Sequence, residues 1–293
     1  MPSVALPRDL PVVDHHCHLS PDGEGVAAAA RFRSAGGTHL FLATQNYARR
    51  PLTSLEDYLR QFETTETLAR RVLEETGVTV YVVVAPYPID LLEAAGEMGL
   101  PAALDLHCAA LDLAGRWVRE RRAVALGEVG RPHFSVEASL EAAGNDAFAH
   151  ALGVAHDVEC PVVVHSADLD PAAYRRLAEE AAKAGVPARR VVKHYARQRT
   201  TSADAAGIAP SYLARRELVR EVTDDPAPWF LETDFLDDPA RRGAVLDLET
   251  VPRRARAIAE ASGGSAERLW RPFVDSVERV YGWRPEVAEA AAP

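Results

Sequence analysis

The sequence predicts an α/β protein built as a single (β/α)8 barrel, and three observations lead to this prediction. Short apolar runs rich in valine alternate with longer segments of helical periodicity, a pattern typical of parallel βαβ units. Eight such runs occur within 293 residues, close to the usual length of one barrel. No glycine-rich phosphate loop follows the first run, which disfavours the alternative, an open doubly wound sheet.

Each predicted strand is a short apolar run bounded by polar residues, glycine or proline. In order, the candidate strands are Val12–His18, Thr38–Ala43, Val78–Ala85, Ala123–Glu128, Pro161–His165, Arg190–His194, a weak run at Gly207–Pro210, and Trp229–Asp234. Continuous runs of Val, Ile and Leu are typical of strands that are buried on both faces. We therefore expect a central parallel sheet that is covered by helices.

Capping residues mark two of the predicted helices. Ser54 is a candidate N-cap for a helix that ends at Gly77, because serine favours the first position and glycine the last. Asp170-Pro171 predicts a second N-cap with proline at the first helical position, and Gly185 lies past the end of that helix.

The C-terminal region predicts one more helix and then a tail. Apolar residues repeat at helical spacing from Phe273 to Tyr281, and an Ala/Pro-rich tail begins at about Pro285. We expect the tail to be frayed and residues 1–293 to form one domain.

Charge and cysteine content narrow the class of protein. A net charge of −10 argues against a dedicated nucleic-acid coat protein, whose affinity comes from neutralising phosphates. The three cysteines are widely spaced and odd in number, so they do not form a disulfide framework. No stretch approaches the ~18 apolar residues of a membrane span, and the N-terminus lacks the apolar core of a secretion signal. We expect a soluble cytoplasmic protein with no membrane partner.

Side chains that could carry chemistry lie at the ends of the apolar runs. Five runs end in a potential metal ligand, namely VVDHHCH, AVALGE, PVVVH, RVVKH and WFLETD. The carboxyl ends of barrel strands are where catalytic residues collect. The six candidate ligands are His16, His18, Glu128, His165, His194 and Asp234. They predict one or two divalent cations, and such donors accept zinc, manganese, iron, nickel or magnesium.

Alternation along the first strand indicates which of its residues face the barrel interior. Val12, Asp14, His16 and His18 fall on one side, and Val13, His15 and Cys17 fall on the other. The second set is mostly apolar and suits the helix layer. His16 and His18 would then hold one cation through two imidazole nitrogens.

Together these motifs resemble the TatD-type metal-dependent hydrolases, which belong to the amidohydrolase-like barrels. The matching motifs are D-x-H-x-H on the first strand, G-E-x-G on the fourth, V-V-H-S, V-x-K-H, and E-T-D on the last, and they span Asp14 to about Asp238. The resemblance implies a TIM barrel in which His16 and His18 are first-strand ligands and Glu128 is a bridging carboxylate. It also implies that His165 and His194 serve the second site, with Asp234 as the last-strand carboxylate. Related phosphotriesterase-like and urease-like barrels carry a carboxylated lysine where this chain has Glu128.

The chain departs from the family pattern at three loops that face the substrate. Ala167 stands where typical members carry an arginine, and Pro86-Tyr87-Pro88 stands where they often have a histidine. Tyr195-Ala196-Arg197 replaces a small turn that contains glycine. The deoxyribonuclease activity associated with the family therefore does not follow from the resemblance alone.

Four residues near these loops are candidates for contacting substrate. Arg131 and Arg197 would supply phosphate contacts, His133 would orient the substrate, and Tyr195 is a further candidate for binding it. For each of them an ordinary solvent-exposed position is the alternative.

Metal-assisted hydrolysis is the leading functional hypothesis, with Asp234 and Glu128 as catalytic residues. Asp234 would orient the attacking water and collect its proton. The expected substrate is a phosphoester, either a small molecule or a nucleic-acid end. The alternatives are hydrolysis of an amide, lactone or carboxylic ester, a non-catalytic barrel stabilised by metal, and an isomerase on the same barrel.

Overall fold

Parallel strands form one continuous curled sheet in a computed structural model that describes residues 5–241 and 243–287. Within those residues the strands number nine: β1 Val13–His18, β2 His39–Ala43, β3 Thr79–Val84, β4 Ala125–Gly130, β5 Val162–His165, β6 Val191–Ala196, β7 Ala209–Leu213, β8 Phe230–Glu232 and β9 Phe235–Leu236. Their order in the sheet is β8-β7-β6-β5-β4-β3-β2-β1-β9, and each neighbouring pair is parallel.

Helices connect successive strands and cover the outside of the sheet. In the described ranges they are α1 Val26–Ser34, α2 Leu55–Thr76, α3 Pro88–Met98, α4 Leu100–Arg119, α5 Ala138–Asp157, α6 Pro171–Lys183, α7 Arg216–Val222, α8 Thr250–Ala261, α9 Glu267–Trp270 and α10 Ser276–Tyr281, with a π-helical turn Arg271–Asp275 and 3₁₀ turns Ala188–Arg190 and Pro239–Arg241. This alternation of strand and helix confirms the predicted (β/α)8 TIM barrel.

The barrel closes where β1 meets the end of β8. The backbone N–H of Asp234 donates to the carbonyl of His16 at 2.9 Å, and the short strand β9 continues the ladder along β1. The first and last βα units are therefore neighbours, so residues that lie far apart in the sequence share one rim of the barrel.

Alternate strand residues enter two different buried clusters. Leu40, Leu42 and Val164 pack between the sheet and the helices, whereas Phe41 and Val163 belong to a second cluster inside the curled sheet and beneath the C-terminal helices. This alternation follows from the two-residue repeat of a β-strand, and it turns the last residue of a strand either into the barrel or away from it.

The first strand does not alternate as the sequence predicted. His15, expected on the helix side, instead stacks on Phe230 with ring centroids 3.9 Å apart and lies 4.7 Å from Phe41. Its Nε2 is 2.9 Å from the hydroxyl of Tyr281. The prediction was wrong because the pairing of β1 with β2 shifts register between Asp14 and Cys17, which breaks the two-residue repeat.

Helix caps lie where the sequence placed them. The Ser54 hydroxyl accepts from the N–H of Asp57 at the start of α2, and Gly77 ends that helix with φ 70°. The Asp170 carboxylate accepts from the N–H of Ala173 at 2.7 Å, and Pro171 is the first residue of α6.

Three other expectations have mixed outcomes. The weak seventh strand was predicted at residues 207–210 but lies at Ala209–Leu213, because Pro210 and Ser211 interrupt the apolar pattern that marks a strand. None of the helices in the described ranges is long and apolar enough to cross a bilayer. Of the tail expected to fray from about Pro285, residues 288–293 lie outside the described residues.

Candidate metal centre

The carboxyl ends of five strands bring the six predicted ligands together at one rim of the barrel. His16 and His18 are on β1, Glu128 is on β4, His165 ends β5, His194 is on β6, and Asp234 follows β8. Three overlapping groups of their ligand atoms lie within 4.8 Å of one another, namely His16 with His194 and Asp234, His16 with His18 and Glu128, and Glu128 with His165 and His194.

Glu128 lies at the middle of the cluster, between two pairs of histidines. Its Oε1 is 2.9 Å from Nε2 of His16 and 3.1 Å from Nε2 of His18. Its Oε2 is 2.8 Å from Nδ1 of His165 and 3.1 Å from Nε2 of His194. Each oxygen of one carboxylate therefore faces its own histidine pair, which is the arrangement of a carboxylate shared by two cation positions.

Asp234 borders the first of these positions. Its Oδ1 lies 3.8 Å from Nε2 of His16 and 3.7 Å from Nε2 of His18. The residue has a φ of 50°, a left-handed conformation that is uncommon outside glycine. Burial raises the pKa of its carboxyl group to about 7.

The donor set fits divalent cations. Nε2 of His16 and Nε2 of His18 are 3.2 Å apart, and Nδ1 of His165 and Nε2 of His194 are 3.0 Å apart. Ligand atoms about 2.1 Å from a zinc ion in tetrahedral geometry are separated by roughly 3.4 Å, close to these values. Imidazole and carboxylate ligands of this kind suit zinc, iron, nickel and manganese.

Electrostatics favours an ionised Glu128 and shifts the pKa values of the surrounding histidines in different directions. Burial alone would raise the pKa of Glu128, but the adjacent histidines, with His194 and His16 foremost, hold it well below its usual value. Burial lowers the pKa of His16 to about 4. Burial alone would lower the pKa of His194, but the carboxylates of Glu128 and Glu232 raise it to about 10. A cation bound here would therefore displace a proton from the His194 ring.

Two of the histidines are oriented by partners on their far nitrogens. Nδ1 of His18 is 3.2 Å from the carbonyl oxygen of Ala43. Nε2 of His165 is 3.2 Å from the hydroxyl of Tyr87 and 3.1 Å from Nδ1 of His133. Such contacts fix the tautomer and turn the other nitrogen toward the cation.

The role of Tyr87 in this arrangement was not predicted from the sequence. In the sequence Tyr87 stands out only as a departure from the family pattern after the third strand, yet its hydroxyl contacts the candidate ligand His165. Its position directly before α3 and shortly after β3 was the available signal, because residues that follow barrel strands border the site.

A cavity of about 700 Å³ opens above the ligands, and three of the four predicted substrate residues line it. These three are His133, Tyr195 and Arg197. Arg197 already donates to both carboxylate oxygens of Asp168, at 3.1 and 2.7 Å to Oδ2 and 3.3 Å to Oδ1. Asp168 therefore partly neutralises the charge that Arg197 offers to a ligand.

Arg131, the fourth predicted substrate residue, is held by neighbouring helices. Its guanidinium donates to Asn145 at 2.6 Å and to Glu180 at 3.0 Å, over the ring of Phe148. It is not among the described residues that line the cavity. The expected contact of Arg131 with substrate is thus not supported by its position, because helices α5 and α6 hold its side chain.

Asp237 is a buried carboxylate at the same rim that was not predicted from the sequence either. Its two oxygens accept from the backbone N–H groups of Ser20, Glu24 and Gly25 at 2.7 to 2.9 Å. It holds the loop that follows β1 against β9 and lines the cavity.

Comparisons with known proteins agree with this geometry. A family model described as "TatD related DNase" matches residues 13–282. An uncharacterized protein of Methanocaldococcus jannaschii is 29% identical over 279 residues, which cover 94% of this chain and 96% of that one.

Solved structures of low sequence identity share the fold. A TatD homologue from Escherichia coli superposes with a TM-score of 0.60 at 18% identity, covering 92% of this chain and 98% of that chain. A mutant of a PTE-like lactonase from Deinococcus radiodurans superposes with a TM-score of 0.55 at 15% identity, covering 96% of this chain and 99% of that chain.

Proposed function

Because this chain belongs to the TatD-related DNase family, we propose that it hydrolyses a phosphoester, either in a small molecule or at a DNA end, with the help of one or two divalent cations. The observation that carries this proposal is the position of Glu128, whose two oxygens each face one histidine pair. Asp234 lies beside the first pair, at the open side of the cluster.

The residues of the cluster divide into those that hold cations and those that move a proton. His16 and His18 would hold one cation, His165 and His194 a second, and Glu128 would be shared. A divalent cation supplies Lewis acidity, which polarises a phosphoryl or carbonyl oxygen and makes water acidic near neutral pH.

Asp234 is the proposed proton acceptor. Its side chain is 16% exposed and lines the cavity, so its carboxylate can orient an attacking water and accept the proton that the water loses. His133 and Tyr195 line the wall of the cavity and would position the substrate.

Metal stoichiometry and turnover, measured together, test the proposal. Metal would be counted by atomic spectroscopy on purified protein, and turnover would be measured before chelation, after chelation, and after adding back zinc or manganese. A panel of chromogenic phosphodiesters, lactones and short oligonucleotides provides the substrates. We expect one or two metal ions per chain and phosphodiester turnover that chelation abolishes and metal restores.

Salt dependence separates nucleic-acid substrates from small ones. Cleavage of an oligonucleotide should weaken as salt rises, since bound counterions oppose phosphate contacts, while cleavage of a small phosphodiester should change little. Phosphodiester turnover that survives complete removal of metal would refute the proposal.

Hydrolysis of an amide, lactone or carboxylic ester is the second candidate. The PTE-like lactonase shares the fold over nearly the whole chain, and the same donor cluster can serve a carbonyl electrophile. The pairing of Arg197 with Asp168, which weakens its attraction for phosphate, favours this alternative. Turnover of lactones with none of phosphodiesters would establish it.

A non-catalytic barrel stabilised by metal is a third candidate. Structural zinc sites are usually closed by four protein ligands, whereas six ligands shared by two cations leave coordination positions for water and substrate. The open cavity above the cluster therefore supports an enzyme. We also propose a cytoplasmic location, in keeping with three free cysteines.

A further inference from the structure

Glu232 is a buried carboxylate next to the metal centre that the proposed mechanism does not use. It ends β8, two residues before Asp234, and its exposed fraction is 0%. Its Oε1 accepts the backbone N–H of Tyr195 at 2.6 Å, and its Oε2 has no hydrogen-bond partner among the described residues. A buried carboxylate is costly without a partner, so its place calls for an explanation.

A candidate ligand lies beside Glu232. Nδ1 of His194 lies 3.6 Å from Oε1 of Glu232, and it too is buried without a hydrogen-bond partner in the described part of the chain. On the opposite side of the ring, Nε2 is 3.1 Å from Oε2 of Glu128 and 3.0 Å from Nδ1 of His165. The ring therefore lies between Glu128, a carboxylate of the candidate ligand cluster, and Glu232, a carboxylate outside it.

We infer that Glu232 is a positioning residue, which holds the proton of His194 on Nδ1 so that Nε2 presents its lone pair to the cation position formed by Glu128, His165 and His194. A neutral imidazole carries one proton, and the hydrogen bond on one nitrogen decides which nitrogen is free. Glu232 would accept the Nδ1 proton, since its Oε1, 3.6 Å away, is the carboxylate oxygen that faces that atom. This inference rests on the proposed function, since it assumes that the cluster binds metal.

The far nitrogens of the other histidines support the assignment. His18 meets the carbonyl of Ala43, and His165 meets the hydroxyl of Tyr87. Only His194, among these three, faces a charged acceptor. A carboxylate in this place increases the basicity of the imidazole more than a neutral acceptor does, so His194 becomes the stronger ligand.

Glu232 also contacts the cavity wall, which makes a purely structural role the alternative. Tyr195 has a φ of 55°, and its N–H is held by Oε1 of Glu232. Loss of Glu232 would therefore disturb Tyr195 as well as His194. The test needs a variant that keeps this acceptor and removes only the charge.

Two substitutions of Glu232 separate the effect of its charge from the effect of its shape. Glu232→Gln keeps an oxygen for the N–H of Tyr195 and for Nδ1 of His194 but is uncharged, while Glu232→Ala removes both oxygens. Asp237→Asn is the matched control, because Asp237 is also a buried carboxylate at the same rim, and its partners are backbone N–H groups of one loop.

Zinc affinity of metal-free protein is the first readout, measured by competition with a chromogenic chelator. We expect Glu232→Ala to weaken one of two zinc affinities by about 10- to 100-fold, and Glu232→Gln to weaken the same affinity by at least about fivefold. Asp237→Asn should stay within about threefold of the wild type. A folded Glu232→Gln protein with both zinc affinities unchanged would overturn the inference, even if Glu232→Ala fails to fold.

Nitrogen NMR of the imidazoles is the second readout. If Glu232 had only a structural role, the Glu232→Gln variant would keep the wild-type nitrogen signals of the imidazoles. In the wild-type protein with zinc, His194 should carry its proton on Nδ1. A proton on Nε2 would contradict the inference. Neither readout needs turnover, so zinc binding and the expected tautomer without any hydrolysis would refute the proposed function alone. Failure of the wild-type protein to bind zinc would refute both.

Discussion

The carboxyl group of Asp14 accepts two hydrogen bonds from Thr233, one from its backbone N–H at 3.0 Å and one from its hydroxyl at 2.6 Å. Asp14 is on β1 and Thr233 directly follows β8, so this pair joins the two ends of the barrel. His16 and Asp234, each close to the junction, are brought together by it. The pair of Asp14 and Thr233 therefore contributes both to the closure of the barrel and to the geometry of the candidate site.

Removing the hydroxyl of Thr233 should destabilise the protein. In Thr233→Val, one buried oxygen of Asp14 loses its donor, at a cost of about 1–3 kcal/mol. For a chain of this size we expect the melting temperature to fall by several degrees, as measured by thermal unfolding. Thr233→Ser keeps the hydroxyl and should melt close to the wild type. Equal melting temperatures for the Val and Ser variants would show that the hydroxyl contributes nothing.

Replacing Asp234 by asparagine should separate metal binding from turnover. The asparagine amide would keep an oxygen near His16 and His18 but accept a proton poorly, so metal content should stay largely intact while turnover falls by about 10²- to 10⁴-fold. Metal content and turnover would be measured on the same samples. Wild-type turnover in this variant would remove Asp234 from the mechanism.

Replacing His16 by alanine should have the opposite signature. The substitution removes a donor 2.9 Å from the shared carboxylate Glu128, so metal and activity should be lost together. A His16→Ala protein that retains full metal content would show that His16 is not a ligand.

Two arginines provide a matched test of substrate contact. Arg197 lines the cavity, whereas Arg131 is held by Asn145 and Glu180. With a phosphodiester substrate we expect Arg197→Ala to raise KM about tenfold, the equivalent of one charge-assisted hydrogen bond of about 1.5 kcal/mol. Arg131→Ala should leave KM unchanged. The opposite pattern would mean that the loop after β4 approaches the substrate.

Acid should destabilise the fold through His107, which lies on α4 and is not one of the candidate ligands. The residue is 5% exposed, and burial lowers its pKa to about 4, with the nearby His150 adding to the shift. In the unfolded chain its pKa is near 6.5. His107 therefore binds a proton more weakly in the folded state than in the unfolded chain. The contribution of this difference to the free energy of unfolding is fully present above pH 6.5 and is lost as the pH falls toward 4.

The magnitude of this loss is about 3 kcal/mol over that interval. Unfolding by urea at several pH values, compared with His107→Leu, measures it. The Leu variant should lose less stability between pH 6.5 and 4 than the wild type. Parallel pH profiles for the two proteins would contradict the expectation.

The convergence of the six candidate ligands was predictable from the sequence, because it requires only the barrel fold and the positions of the strand ends. Each is at the carboxyl end of a parallel strand, or just beyond it, and a barrel brings these ends to one rim. Glu232 was also within reach of that reasoning, since it lies two residues from Asp234, and strand residues at that spacing share a face. The motif E-T-D therefore predicts a second carboxylate, that of Glu232, beside Asp234 at this rim.

Side-chain directions that depend on tertiary contacts were not predictable. His15 faces Phe41 and Phe230 because the register of β1 shifts locally, and nothing in the alternation of residues announces that shift. Arg131 turns away from the cavity because Glu180, 49 positions later in the chain, binds it. These side-chain directions are set by contact partners that come close only in the folded chain.

The place of Glu128 between two histidine pairs has a consequence for the order in which ions are taken up. A single negative charge is divided over both pairs, so an ion beside Oε1 draws charge that an ion beside Oε2 would otherwise receive. Two dications, one held by each histidine pair, would also repel each other. Filling should therefore be stepwise, with a tight first ion and a weaker second, and at limiting supply most molecules would hold a single ion.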